Sequence, residues 1–485
     1  MNKVTNHTKA PTSPEEYDLL VLGSGAGGKL ISWTMAKEGM KTAVIERKYV
    51  GGSCPNIACL PSKNVIHSAK VASYLKRGAE FGIEWERSEI NMTAVRERKR
   101  KMVAGLVDLH LELYKNSGAE LIMGSGRFVA PKTIEVTSAD NQMRLLQGQH
   151  VVINTGTHAT IDSTPGLREA NPLTHVEALE LDRVPEHLIV LGGGFVGLEL
   201  AQAMRRLGSR VTVIDRNPRL AHREDQDVSA ALLELFRDEG IDVLTDTRIA
   251  RVQGKSGESV KLSARRNGAN LLLEGTDLLV AAGRTPNTSG IGLEVAGVQT
   301  TDHGYIKVNE RLETTAPGVW AAGECAGSPH FTHISENDFH IVHDNILGGH
   351  RITTGRQVPF CIFTDPEFAR VGLSETEANE RGVAYRVGTI PLAAVLRART
   401  LSETRGFMKA LIDTSSDRIL GFSVFGVEAG EIMSTVQVAI IAGLPYTAMR
   451  DASFAHPTML EGLIPLFSNV PPTSVPVREE QVALA

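Results

Sequence analysis

The chain has 485 residues, 51 basic and 56 acidic side chains, a formal net charge of −5 and four cysteines. This length predicts several domains, and four cysteines are too few for a disulfide framework. No basic tract indicates a nucleic-acid surface, no apolar run approaches the roughly 20 residues of a membrane helix, and the polar N-terminus lacks the apolar core of a signal peptide. We therefore expect a cytoplasmic multidomain protein with no nucleic-acid or membrane partner.

The first predicted elements are a strand over Tyr17–Leu22, an amphipathic helix within Lys29–Met40 and a second strand, TAVIER. Between the first strand and the helix, the G-x-G-x-x-G spacing is formed by Gly23, Gly25 and Gly28. Such glycines permit a tight turn and let a pyrophosphate approach the free N–H groups of a helix start. Glu46 lies 18 residues after Gly28, where a carboxylate can bind a ribose hydroxyl. The segment predicts a dinucleotide site.

The next segment, GGSCPNIACLPSK over residues 51–63, contains Cys54 and Cys59. Two residues five positions apart rise by roughly 7.5 Å in an ideal helix, whereas a disulfide needs Cα atoms about 4.4–6.8 Å apart. The cysteines can therefore bridge only if the helix start is distorted, for which the flanking glycines and prolines are suited. A helix start also favours a thiolate. An electron-relay pair is the favoured interpretation; two inert buried cysteines and a C-x4-C metal site are the alternatives.

A second dinucleotide fingerprint follows in HLIVLGGGFVGLELAQAMRRLGSRVTVID, with its spacing formed by Gly192, Gly194 and Gly197. Asp215 again lies 18 residues after the last glycine. Two fingerprints predict two dinucleotide cofactors. A carboxylate at the end of the second strand disfavours the 2′-phosphate of NADPH, so we expect NADH. Arg216 and Arg219 could attract that phosphate and leave NADPH open.

These motifs, in this order, resemble the class I pyridine nucleotide–disulfide oxidoreductases, whose redox loop is G-G-x-C-x-N-x-x-C-x-P-[ST]-K. Further stretches match the family: INTG ending at Gly156, AAGRTPNT with Gly283 and Arg284, GVWAAGEC with Glu324, and FAHPTMLEGL with His456 and Glu461. The resemblance implies FAD at the first fingerprint, NAD(P)H at the second and a homodimer. Glu324 departs from the family, which normally has Asp at this position to hold the FAD ribityl chain.

The resemblance also implies a role for each site residue. Cys59 would form the thiolate against the flavin, and Cys54 would be the outer thiol that attacks substrate. Lys63 would pair with Glu199 near the flavin. His456 would act as a base oriented by Glu461, and this dyad would reach the active site of the other subunit.

The acceptor is not fixed by these motifs. Mercuric reductases resemble several stretches, but they carry an additional C-terminal cysteine pair, and this chain ends VPVREEQVALA. The stretch HFTHISENDFHIVHDNILGG resembles a flavoprotein branch of bacterial hypochlorite defence that reduces copper(II). A solvated helix face is the favoured interpretation of its histidines, His330 to His350, and a metal site is the alternative. The favoured acceptor is a small disulfide or a thiol-bound metal ion. Lipoamide and a non-catalytic FAD-bound redox sensor are the alternatives.

The predicted fold is α/β, with two Rossmann-like dinucleotide-binding domains, for FAD and NAD(P), and an α+β C-terminal dimerisation domain. The expected divisions are a disordered tail over 1–16, the FAD domain over 17–160, the NAD(P) domain over 161–288, the second part of the FAD domain over 289–357, the dimerisation domain over 358–471 and a tail over 472–485.

Overall fold

The computed structural model describes residues 13–84 and 89–472, so most of both predicted tails lies outside the described residues. The chain forms two compact units. The first runs to Pro218 and resumes over Phe236–Arg356, and the second comprises Arg219–Leu235 and the chain from Gln357 onward. Within the described ranges, none of the helices combines the length and apolar character needed to cross a membrane.

The strands are β1 (Glu15–Leu22), β2 (Thr42–Glu46), β3 (Glu120–Met123), β4 (Ser125–Ala130), β5 (Thr133–Thr137), β6 (Met143–Ile153), β7 (Thr157–Ala159), β8 (His187–Leu191), β9 (Arg210–Ile214), β10 (Asp242–Leu244), β11 (Thr247–Lys255), β12 (Ser259–Arg266), β13 (Ala269–Gly275), β14 (Asp277–Val280), β15 (Arg284–Pro286), β16 (Val319–Ala321), β17 (Phe360–Ile362), β18 (Glu367–Gly372), β19 (Tyr385–Pro391), β20 (Phe407–Asp413) and β21 (Ile419–Gly426).

The helices are α1 (Ala26–Lys37), α2 (Ser53–Asn56), α3 (Cys59–Lys76), α4 (Met92–Ser117), α5 (His175–Ala178), α6 (Phe195–Leu207), α7 (Gln226–Asp238), α8 (Thr332–Ile346), α9 (Glu375–Glu380), α10 (Leu396–Thr400), α11 (Ala429–Ile441), α12 (Tyr446–Arg450) and α13 (Leu463–Ser468). Short 3-10 turns cover Gly78–Phe81, Gly323–Ala326, Leu392–Ala394 and Met459–Gly462.

The first sheet is built around β1, which pairs in parallel with β2 and β6. Its order is β3-β2-β1-β6-β5-β4, and β16 joins in parallel on β6. Successive residues of β1 pack into different clusters, with Leu20 and Leu22 in one and Leu19 and Val21 in the other. Because both faces of this central strand are covered over its second half, residues 19–22 are all apolar and buried. The sheet places the carboxyl ends of β1, β2 and β6 beside the first glycine turn.

The second parallel sheet has the order β10-β9-β8-β14, and α6 follows β8 directly. Leu188, Ile189 and Val190 of β8 are fully buried. An antiparallel sheet, β11-β12-β13, lies next to it in sequence. The two parallel sheets, each with a glycine turn opening a helix, confirm the predicted pair of Rossmann-like folds.

The second unit contains a five-stranded antiparallel sheet, β17-β18-β21-β20-β19, and helices α9–α13, which confirms the α+β character predicted for the C-terminal part. It also takes in residues 219–235, which the sequence placed inside the NAD(P) domain. The reason is ionic. Arg370 donates to Glu224 at 2.9 Å, and Lys409 donates to Asp225 at 2.9 Å.

Lys409 is the centre of this ionic cluster. Its side chain is 2% exposed, and its Nζ also donates to Asp227 at 2.7 Å and to Glu375 at 2.8 Å. Burial alone would raise the pKa of Asp225, but hydrogen bonds from Lys409 and Thr376 lower this pKa to about 2. The cluster therefore contributes stability above the ordinary carboxyl pKa, and this contribution is lost as the pH falls towards 2.

Replacing Lys409 by Met is expected to destabilise the second unit by about 3–5 kcal/mol, because three carboxylates lose their shared cation. Calorimetry at pH 7 and fixed protein concentration should show a Tm lower than that of wild type, and the difference should shrink as the pH falls towards 2. Arg418→Met, at an exposed position of the same unit, serves as the control. An unchanged Tm in the Lys409 variant would contradict the role of this cation.

Candidate active site

The predicted redox loop is a broken helix. Cys54 lies in the four-residue α2, Cys59 is the first residue of α3, and non-helical backbone separates them, with Ala58 at φ −129° and ψ −100°. The side chain of Asn56 donates to the carbonyls of Val50 at 2.9 Å and Gly52 at 2.8 Å, which fixes the loop. This break supplies the distortion that a bridge between the two sulfurs requires.

Both cysteines are partly buried free thiols. The Sγ of Cys59 lies 3.4 Å from Oγ1 of Thr332 at the start of α8. Hydrogen bonds from Cys54 and Thr332, together with the Lys63 charge, lower the pKa of Cys59 to about 6, although burial opposes this shift. The hydrogen bond to Cys59, burial and the charge of Cys59 raise the pKa of Cys54. At neutral pH, Cys59 is therefore the thiolate and Cys54 the protonated donor.

Lys63 and Glu199 form an ion pair. The Lys63 Nζ lies 2.6 Å from the Glu199 Oε2, and the Glu199 side chain is only 7% exposed. Lys63 lies on α3, one turn after Cys59, and Glu199 lies on α6 just after the second glycine motif. The pair thus connects the redox loop to the second dinucleotide fold.

The first glycine motif is packed against the end of β6. A Cβ built at Gly23 would lie 2.4 Å from the carbonyl oxygen of Asn154, and one at Gly28 would lie 2.2 Å from the carbonyl oxygen of Gly23. The N–H of Gly28 donates to the side chain of Asn154 at 2.9 Å. Gly25 precedes α1 and has no side chain with which to cap this helix. The close packing of the turn therefore requires glycine, and because position 25 has no side chain, a phosphate can approach the start of this helix.

The carboxylate of Glu46 organises the same turn. It accepts hydrogen bonds from the N–H and hydroxyl of Ser24 at 2.9 and 2.7 Å, and from the N–H groups of Lys48 and Tyr49 at 2.8 and 3.0 Å. A carboxylate has about four accepting positions, and these donors occupy all of them. A ribose hydroxyl would bind Glu46 in place of one of these donors.

The second glycine motif repeats this arrangement. A Cβ at Gly197 would lie 2.0 Å from the carbonyl oxygen of Gly192, whereas one at Gly194 would meet open space. Asp215 accepts from the N–H of Gly193 at 2.6 Å and from the N–H of Asn217 at 2.7 Å. Of the two arginines that could attract a 2′-phosphate, Arg216 is exposed, and Arg219 donates to the carbonyl of His222 at 3.1 Å.

The remaining predicted cofactor residues of the first unit form one polar group. Arg284 donates to the Thr157 hydroxyl at 2.6 Å and to Glu324 at 3.2 Å, and the Thr157 hydroxyl donates to Glu324. Gly156 and Gly283 have φ of +66° and +149° and supply the turns around this group. The side chain of Glu324, which is longer than the Asp usual at this position in the family, is thus held by hydrogen-bond donors of the protein.

His456 and Glu461 form the predicted dyad in the second unit. His456 Nδ1 lies 2.8 Å from Glu461 Oε1, and the N–H of Thr458 donates to the other carboxylate oxygen at 3.0 Å. The hydrogen bond with His456 lowers the pKa of Glu461. The His456 side chain is 65% exposed. The carboxylate therefore orients the imidazole, whose other nitrogen remains available for proton transfer.

Residues 330–350 contain five histidines, three of which lie on α8. His343 lies 3.0 Å from Glu38, and among the residues that the structure describes no group of three or more His, Cys, Asp and Glu side chains is placed to hold a metal ion.

Sequence reasoning missed several residues that build the site. Asn154 and Thr332 are described above; in addition, the Ser335 hydroxyl accepts from the N–H of Gly27 at 3.0 Å, and Asp338 accepts from the N–H of Gly323 at 2.7 Å. For Asn154 the sequence contains one signal of a site residue, because a polar residue follows directly after a buried strand. The other three lie on α8, far from the glycine motifs in sequence.

Comparison with known proteins gives two family matches. The family described as pyridine nucleotide-disulphide oxidoreductase matches residues 17–338, and its dimerisation domain matches residues 358–465.

Three relatives are similar over most of the chain. The probable pyridine nucleotide-disulfide oxidoreductase RclA of Escherichia coli (strain K12) is 33% identical over 94% of this chain and 99% of its own length. A mercuric reductase of Streptomyces lividans is 34% identical over 92% and 94%. The mitochondrial dihydrolipoyl dehydrogenase 1 of Arabidopsis thaliana is 32% identical over 94% and 90%. The solved Cu(II) complex of the HOCl-induced flavoprotein disulfide reductase RclA from E. coli has a TM-score of 0.85 at 32% identity and covers 94% of this chain and 99% of that one.

The asymmetry between the two thiols can be tested by titration. In the reduced protein, the rate at which iodoacetamide alkylates Cys59 should rise with a midpoint near pH 6, as measured by mass spectrometry of the Cys59 peptide. Cys54→Ala should move the midpoint up towards the ordinary thiol value of about 8.5, because the donor to the thiolate is lost. Cys54→Ser retains a donor and should move it less. Equal midpoints in the two variants would show that Cys54 does not donate to Cys59.

Proposed function

The chain belongs to the pyridine nucleotide-disulphide oxidoreductase family, as its motifs predicted, and we propose that it passes electrons from NAD(P)H through FAD to the Cys54–Cys59 pair and then to a small acceptor. One observation carries this proposal. Two partly buried thiols share a broken helix, and the surrounding groups lower the pKa of one sulfur and raise that of the other. This arrangement suits stepwise thiol–disulfide exchange better than a structural role.

Both glycine motifs fit dinucleotide cofactors. In each motif the glycine that precedes the helix carries no capping side chain, and a Cβ would collide with neighbouring atoms at every motif glycine except Gly194. We assign FAD to Gly23, Gly25, Gly28, Glu46, Gly156 and Glu324, with Gly283 and Arg284 closing the site, and the nicotinamide cofactor to Gly192, Gly194, Gly197 and Asp215. A bound flavin would accept a hydride from the nicotinamide and deliver two electrons to a disulfide. The carboxylate of Asp215 favours NADH, since it would repel a 2′-phosphate.

The two sulfurs divide the exchange chemistry. Cys54 loses its proton to a base and attacks one sulfur of a disulfide acceptor, which releases the first thiol and forms a mixed disulfide. Cys59, already a thiolate, then attacks the Cys54 sulfur; the Cys54–Cys59 bond forms and the second thiol leaves. With a metal-ion acceptor, the two thiolates would instead bind the ion and release two electrons as their disulfide forms. One Hg(II) ion would accept both electrons, whereas two Cu(II) ions would be needed, each accepting one. Lys63 stabilises the negative charge on Cys59.

We assign His456 as the base for Cys54. The raised pKa of Cys54 makes a base necessary, and the exposed imidazole oriented by Glu461 supplies one. In a homodimer the dyad would reach the Cys54 site of the second subunit, and the match to the dimerisation domain supports such a dimer.

The names of the relatives give several acceptors to test. Disulfide reductase, mercuric reductase and dihydrolipoyl dehydrogenase indicate a small disulfide, Hg(II) and lipoamide, and the copper complex of RclA adds Cu(II). A non-catalytic redox sensor is the alternative of another class. The Lys63–Glu199 pair and the His456–Glu461 pair favour an enzyme, because a sensor needs neither.

Purified protein should be yellow and should oxidise NADH faster than NADPH in the presence of at least one acceptor from a panel of lipoamide, oxidised glutathione, Hg(II) and Cu(II). Cys54→Ser should show a long-wavelength absorption band from the Cys59 thiolate, and Cys59→Ser should lack it. A colourless protein that cannot be reconstituted with FAD would refute the proposal, whereas flavin reduction without turnover of any acceptor would favour the sensor.

His456→Ala should slow acceptor reduction by roughly 10²- to 10⁴-fold, the usual scale of general acid–base catalysis. Flavin reduction by NADH should change little, since the imidazole acts only on the thiol. Stopped-flow measurement of the two half-reactions separates the effects, and Glu461→Gln should fall between wild type and His456→Ala. Equal losses in both half-reactions would mean that His456 is structural.

A further inference from the structure

A lysine and a histidine lie beside the redox loop, and the proposed function uses neither of them. Lys29 follows the first glycine motif in the first turn of α1 and is partly buried. Its Nζ lies 2.8 Å from Nε2 of His110 on α4. Because an ammonium group can only donate, His110 accepts through Nε2 and is held in the neutral form.

His110 is packed directly against the redox loop. Its side chain is buried, and a Cβ built at Gly51 would lie 2.8 Å from its Nδ1. Its ring stacks on Trp33 of α1, with 5.8 Å between ring centroids and 21° between planes. One residue further along the loop, a Cβ at Gly52 would lie 2.5 Å from Cα of Gly25. The loop that carries Cys54 therefore lies against both elements that hold the Lys29–His110 pair.

Two groups that can carry negative charge surround Lys29. Lys29 interacts electrostatically with Cys54 and with Glu336 of α8, and its pKa is lowered by burial. The pKa of His110 is lowered by burial and by the Lys29 charge, while the carbonyl of Leu106 acts in the opposite direction. Since an amine is ordinarily far more basic than an imidazole, the positive charge of the pair lies on Lys29. Cys54 has hydrogen bonds with Cys59 and Thr332. The positive charge of Lys29 lowers the pKa of Cys54, against the effects of burial and of Cys59.

We propose that Lys29, held in place by His110, is a positioning residue that favours the thiolate of Cys54 as Lys63 favours that of Cys59, so that each sulfur of the pair has its own cation. The proposal rests on the redox role assigned to the two cysteines and adds a residue to it. Burial and the negative charge of Cys59 both oppose ionisation of Cys54, and Lys29 offsets part of that cost when the acceptor is attacked.

The test measures the reactivity of each thiol separately in the purified flavoprotein, reduced with a phosphine and freed of reductant. Iodoacetamide alkylation is followed at Cys54 and Cys59 by mass spectrometry from about pH 5 to 10, a range that spans the ordinary thiol pKa. Lys29→Met should slow alkylation of Cys54 by roughly three- to tenfold at about pH 7.5, the scale expected for loss of one partly screened charge. Cys59 should not be slowed. Lys29→Arg should restore the Cys54 rate.

Matched variants separate charge from folding. Lys37→Met, an exposed position on the same helix, should leave both rates unchanged. His110→Leu removes the acceptor and should slow Cys54 in the same direction as Lys29→Met, and His110→Gln, which keeps an acceptor for Lys29, should have the smaller effect. Lys63→Met combined with Glu199→Gln, which avoids an unpaired buried carboxylate, should slow Cys59 and not Cys54.

Two results would overturn the proposal. One is a Cys54 rate in Lys29→Met and His110→Leu equal to that in Lys37→Met. The other is loss of FAD from Lys29→Met with unchanged Cys54 reactivity, which would make Lys29 a cofactor-binding residue. Because alkylation requires neither NADH nor an acceptor, these failures are distinguishable from failure of the proposed function, which would show as absent turnover in the wild-type protein.

Discussion

The site depends on a backbone contact that only glycine permits. Gly52 of the redox loop lies so close to Gly25 of the first dinucleotide turn that a Cβ at position 52 would be 2.5 Å from a Cα atom. Ser24 reinforces the contact, since its hydroxyl accepts from the N–H of Gly51 at 3.0 Å and donates to Glu46 at 2.7 Å. The place where a dinucleotide is proposed to bind and the start of the cysteine loop are therefore parts of one hydrogen-bonded structure, and neither can move without the other.

Unequal hydrogen bonding, burial and charge then make two chemically identical thiols different. Cys59 opens α3, near Thr332 and the Lys63–Glu199 pair, whereas Cys54 sits in the short α2, where burial and the neighbouring sulfur disfavour its anion. The break between the two helices is what gives the sulfurs different surroundings. A continuous helix would have held the two sulfurs too far apart to bond, since residues five apart rise by roughly 7.5 Å.

Sequence patterns predicted what depends on local spacing. The glycine motifs, their carboxylates and the apolar strands identified both parallel folds, because tight turns and buried strands leave regular signals. Contacts between distant segments leave no such signal in the sequence. Asn154 bonds to Gly28 across 126 positions, and Lys409 bonds to Asp225 across 184. For this reason the sequence contained no sign that residues 219–235 bond to the C-terminal sheet, and sequence reasoning missed the α8 residues. The roles assigned to the cysteines, to Lys63 and to His456 stay predictions, because they require cofactor and acceptor to be present.

The ionic cluster of the second unit limits where the gene of this protein can be divided. Its buried lysine lies on β20, while two of its carboxylates come from a short stretch encoded far upstream. A gene fragment that begins after Arg356 would encode the sheet but omit several of the counter-ions of Lys409 and Arg370. The C-terminal part of the chain is therefore unsuited to expression by itself. Recombination between relatives keeps the ionic cluster only if residues 219–235 and the chain from residue 357 are transferred together.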